Sequence, residues 1–78
     1  MSVRVRLVFP EALVREPVLA RLARSFDVQP NIRRASVDED SGWIVCELEG
    51  NGADVERALA WLAETGVRVE LLGDVVES

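Results

Sequence analysis

Apolar residues occupy every second position at Val3, Val5, Leu7 and Phe9, and this strict alternation is the strongest constraint the chain places on its own fold. A period of two turns one face of an extended strand toward a core and leaves Arg4, Arg6 and Val8 on the other face. Pro10 has no N–H to give a ladder, so it ends the strand. The period then changes. Val18, Leu19, Leu22 and Phe26 fall at helical spacing behind the Glu16-Pro17 step, where proline loses only an N–H that would be unpaired anyway. Pro30 closes this unit, and Asn31 to Val37 reads as a second strand. The odd spacing of Ile32 and Val37 puts them on one face only if a bulge intervenes. A polar turn over residues 38–42 leads into a third strand, Trp43 to Glu49, with Ile44, Cys46 and Leu48 inward. Asn51 is placed to cap a second helix whose buried stripe is Val55, Ala58, Leu59 and Leu62. Gly66 supplies a left-handed stop, and Val67, Val69 and Leu71 share one face of a last strand.

The resulting order, βαββαβ, predicts an α+β, ferredoxin-like fold: a four-stranded antiparallel sheet with both helices on one face and the second strand at an edge. Residues 1–78 form a single domain, with a core from about 3 to 73 and no linker or repeat. The other sheet face carries Arg4, Arg6, Val8, Trp43, Val45, Glu47 and Glu49. That mixture is too apolar for an ordinary solvated face and too charged for a core. It predicts a partner there, and a homodimer formed through the sheet is the expectation.

The residue types that are missing exclude more than those present. All nine cations are arginine, there is no Lys or His, and fourteen Asp and Glu leave a net charge of −5. The acidic balance argues against nucleic acid and against an anionic membrane surface. Without His there is no Ser-His-Asp triad or imidazole metal ligand, and without Lys no Schiff base or phosphate-gripping P-loop. A lone Cys46 forms no internal disulfide or Cys-x-x-Cys pair, which fits a reduced cytoplasm. No stretch approaches the ~18 apolar residues of a membrane span, and the first ten residues lack the layout of a secretory signal. The chain is therefore expected to be no enzyme, and no cofactor or metal is implied. Within the fold class, a copper chaperone would need the missing cysteine pair. An acylphosphatase would need a glycine in the loop from Pro10 to Glu16, and a single-strand RNA binder more aromatics than Trp43. Trp43 and Trp61 read as half-buried packing residues, Cys46 as an inert core thiol, and Asp38, Glu39 and Asp40 as a solvated turn. Asn31, taken alone, reads as a strand-start or turn residue bonding nearby backbone.

A series of short pieces, in order and at matching spacing, carries a family resemblance. These are Arg6-Leu7-Val8-Phe9, Glu16-Pro17-Val18, Phe26-Asp27-Val28, Asn31-Ile32, Val37-Asp38, Gly42 and Glu47-Leu48-Glu49-Gly50. Ala58-Leu59-Ala60-Trp61-Leu62 and the run from Gly66 to Gly73 complete the series. Together they resemble the NIL domain, named for an Asn-Ile-Leu step at the start of its second strand, with Arg33 standing here where the Leu of the name would be. The resemblance implies a dimeric regulatory domain of the ATP-binding subunit in bacterial methionine-importing ABC transporters. Such a domain binds methionine near the second strand, and its relatives include sulfur-metabolism proteins. Carried over residue by residue, it marks Asn31 and Val37 as ligand contacts. The nucleotide-binding part has no counterpart in this sequence, so a free-standing module is expected, and a start at Met1 favours a natural small protein.

Two readings follow. In the first, the chain senses L-methionine or a related sulfur amino acid. Asn31 offers a donor and an acceptor to the head group, while Ile32, Val37 and residues of a second copy cover the thioether. In the second, no ligand binds and the open sheet face docks another protein. Arg33 and Arg34 suit either reading, crowding an apolar pocket or gripping a carboxylate.

Overall fold

The computed structural model describes residues 1–74; the last four residues of the expected 1–78 domain lie outside them. The chain runs β1 (Ser2–Phe9), α1 (Val18–Ser25), β2 (Val28–Val37), β3 (Gly42–Gly50), α2 (Gly52–Thr65) and β4 (Arg68–Asp74), with a single 3-10 turn at Glu11–Leu13. The strands lie in the order β2-β3-β1-β4 and every neighbouring pair is antiparallel. This is the ferredoxin-like α+β arrangement that the periodicity predicts, with β2 at an edge.

The alternation in β1 decides which face is covered. Val3, Val5, Leu7 and Phe9 are buried, and Cys46 and Leu48 of β3 join them on the same side. Val18 and Leu22 of α1 and Val55, Ala58 and Leu62 of α2 complete the core from above. Phe26, just past α1, meets Trp61 of α2 edge to face at 6.0 Å, which ties the two helices together. The caps follow the sequence signals. Asp54 N–H donates to Asn51 Oδ1 at 2.9 Å, and Gly66 ends α2 at φ 102°.

One boundary and one burial differ from the sequence reading. β2 begins at Val28 rather than Asn31, so Pro30 lies inside the strand. An edge strand has one unpaired side, and proline is tolerated there for that reason. Leu71 pairs with Val5 as an inward residue should, yet stays 69% exposed, because β4 is the other edge and shifts register between Arg4 and Val5.

Cys46 is fully buried, and that burial pushes its thiol up from 9.0 to about 11. The folded state thus holds the proton more tightly than the unfolded chain. The associated stability is fully present below about pH 9 and is lost as pH rises through about 11, an effect of roughly 2–3 kcal/mol. Alkaline denaturation of the wild type should show this downward slope and Cys46→Ala should lack it. Rapid reaction of the folded protein with an aromatic disulfide reagent at neutral pH would contradict the assignment.

Candidate functional site

β2 keeps its side chains exposed along most of its length: Asn31 through Val37 are all exposed. Alternation divides them between two faces. Asn31 pairs with Glu47 and lies on the open face, away from the helices, while Ile32 pairs with Cys46 on the helix side. The register then shifts between Ile32 and Arg34, which is the bulge that the Ile32–Val37 spacing requires. Beyond it Ala35 pairs with Ile44 and Val37 with Gly42, so Val37 shares the helix side with Ile32.

Val37 faces something that Asn31 and Ile32 do not. It lines an apolar cleft of about 190 Å³ between the β2–β3 hairpin and the start of α1, with Phe9, Val14, Val18, Leu19 and Ile44 on the walls and Glu16 and Pro17 at the rim. Periodicity marks Val18, Leu19 and Ile44 as core, and nothing in a sequence separates an apolar residue that fills a core from one that walls a cleft. At the other end of the candidate site, the Asn31 side chain makes no hydrogen bond among the described residues. The turn-forming role that its position after Pro30 suggests is therefore not the one it has.

The structure thus brings Ile32 and Val37 to one face, and Val37 alone to the cleft. Asn31 and Val37 are six positions apart, about 20 Å at ordinary strand rise, and point to opposite faces. No single amino acid spans both within one copy.

The open face is a charge lattice. Glu47 receives Arg4 at 3.0 Å and Arg33 at 3.6 Å, and Glu70 lies 3.8 Å from Arg6 and 3.1 Å from Arg68. The Arg6 guanidinium sits 5.2 Å from the centre of the Trp43 ring. Val8, Trp43 and Val45 are each half-buried, with the Arg6 guanidinium over the Trp43 ring, so the apolar trio that motivates a sheet-to-sheet dimer is less exposed than its sequence suggests. The acidic turn at residues 38–40 gathers no metal-ligand set; among the described residues no three Cys, Asp or Glu side chains come together. No helix there is long and apolar enough to cross a membrane.

Comparison with known proteins bears on this edge strand. The methionine import ATP-binding protein MetN of Vibrio cholerae is 36% identical over 76 residues, covering 92% of this chain. That of Escherichia coli K12 is 39% identical over 75 residues, covering 91%. The chain spans only 22% of the length of either relative. Among solved structures, the C-terminal domain of an ABC transporter ATP-binding protein from Enterococcus faecalis superimposes with a TM-score of 0.79. It covers 94% of this chain and 86% of that one, and at 19% identity it shows a shared fold. The family model described as the NIL domain matches residues 3–71. With the match reaching from the first strand into the last, the chain belongs to the NIL domain family.

Proposed function

We propose that the chain is a non-catalytic regulatory domain that binds L-methionine or a related sulfur amino acid at the β2 edge of a homodimer. The observation that carries this reading is the position of Val37 at an apolar cleft large enough for one short side chain, on the strand where the Asn31 amide is unengaged. The names of the methionine import relatives supply the ligand class.

The separation of Asn31 from Val37 is the reason for a second copy. β2 has an unpaired outer edge, and an unpaired edge is a template for another strand. Antiparallel pairing of two β2 edges about a two-fold axis near Arg34 brings the Asn31–Ile32 end of one copy beside the Val37 end of the other. The exposed Ile32 and Val37, on the same face, then cover each other. The side chain of the ligand fills the cleft beside Val37 with the partner's Ile32 over it, and the partner's backbone at Asn31–Ile32 lies near its head group, the Asn31 amide itself standing on the opposite face. This route replaces the open face as the dimer surface, since the open face is already laced with ion pairs. The setting in this reading is the cytoplasm, with an ABC importer or a sulfur-metabolism protein as the regulated partner.

Burying a thioether side chain contributes roughly 1.5–3 kcal/mol and head-group hydrogen bonds add a similar net amount, and the upper end of that sum, about 5–6 kcal/mol, gives a dissociation constant of about 0.1 mM. Calorimetry with L-methionine should show this affinity in a protein that sediments as a dimer. Val37→Asp places a charge at the cleft and should weaken binding more than about tenfold. Asn31→Ala should leave the unfolding free energy within about 0.5 kcal/mol of wild type, because the amide holds no bond in the fold, and a loss of methionine affinity in this variant would show that the head group reaches the open face. Unchanged methionine affinity in Val37→Asp would refute the site.

A further inference from the structure

Five of the nine arginines project from the open sheet face, against three glutamates, so this face carries +2 in a chain whose net charge is −5. The remainder of the molecule is correspondingly more acidic, and the imbalance is confined to the side away from the helices. Within the face the charge is graded. Arg34, Val45 and Arg6 stand in one row across β2, β3 and β1, which Glu70 closes on β4, and Trp43 and Val8 form the next row, with Arg68 beside Val8 on β4. The result is an apolar floor one strand wide with guanidinium groups on both banks. Arg34 and Arg6 are two strands apart, about 10 Å at ordinary strand spacing.

We infer that this row is a docking surface for an acidic polypeptide segment, one with carboxylates on either side of an apolar residue. The charge complementarity is specific in two respects. Arg34 makes no ion pair among the described residues, so its planar fork is free for a carboxylate. Arg6 is held over Trp43 and reaches Glu70 only at 3.8 Å, so it can turn to a better acceptor while keeping its aromatic contact. An apolar residue between the two carboxylates then lies on Val45 and Trp43. Three glutamates within the face disfavour a polyphosphate chain, whose charge is continuous where this surface is interrupted. The surface is independent of the cleft beside Val37, which opens on the opposite side of the sheet.

The test is titration of the isotope-labelled protein with acetyl-Glu-Asp-Leu-Leu-Asp-Glu-amide. The same peptide with lysine at each acid and a ten-residue oligodeoxythymidylate serve as alternatives. The acidic peptide should shift the Trp43 indole and the amides of Arg6, Val45 and Arg34 saturably, and added salt should weaken it. Arg34→Glu should weaken it about tenfold or more, and Arg24→Glu on the exposed face of α1 should not. Equal binding of the lysine peptide, tighter binding of the oligonucleotide, wild-type affinity in Arg34→Glu, or no shifts up to about 1 mM peptide would each overturn the inference.

Discussion

Replacing Leu62 with alanine should lower the unfolding free energy by about 2–5 kcal/mol, the cost of lost burial plus the cavity left behind. Leu62 is fully buried at the C-terminal end of the α2 stripe, and its carbonyl accepts from the Val67 N–H at 3.1 Å where the chain leaves the helix. Little of the core is free to collapse into the gap, since Leu7 and Leu48 of the same buried cluster are held in central strands. A domain of this length has roughly 4–12 kcal/mol of stability in total, so this one change removes a large share of it. Leu72→Ala removes the same atoms from a half-exposed position on the β4 edge and should cost less than about 0.5 kcal/mol. Urea denaturation of the two variants should show widely separated midpoints. Similar midpoints would mean that α2 is not seated on the sheet as described.

Gly50→Ala should cost about 1–3 kcal/mol, and for a reason other than burial. A Cβ at this position would stand 2.7 Å from the Asp27 carbonyl oxygen and 3.4 Å from Val28 Cγ2. The clash is with backbone, so no side-chain rotation relieves it. The Asp27 carbonyl is held because Val28 pairs with Gly50 at the start of β2, and Gly50 is itself bonded to Met1 on its other side at 2.8 and 3.0 Å. The substitution therefore strains the β2–β3 ladder and the first residue of the chain together. The same change at Gly52 meets only the Met1 sulfur at 3.5 Å and should be tolerated. A Gly50→Ala variant as stable as wild type would show that the β2 edge moves freely.

Periodicity was enough for the fold because each strand and helix buries one face only. The inward set of β1, the Asn51 cap and the Gly66 stop each stand where the residue types demand. Even the bulge in β2 was legible, from one odd spacing. The outer limits of the edge strands were less so. Pro30 looks like a terminator until β2 is known to have an unpaired side, and Leu71 looks inward until β4 is known to have no outer neighbour. The candidate site was legible only as positions on one strand. Asn31, Ile32 and Val37 read as neighbours in sequence, whereas the pairing with Glu47, Cys46 and Gly42 divides them between two faces. The cleft walls belong to β1, α1 and β3, and only tertiary structure assembles them.

The central claim is that the β2 edge and its cleft bind a methionine-like amino acid, and amide shift mapping of the wild-type protein tests it most directly. L-methionine should move the resonances of residues 31–37 together with Val18, Leu19 and Ile44 in a saturable way, reaching half-effect at about 0.1 mM. L-leucine, lacking the thioether, should shift the same residues more weakly, and β4 should stay unmoved. No shift along β2 or at the cleft up to about 10 mM methionine would contradict the account.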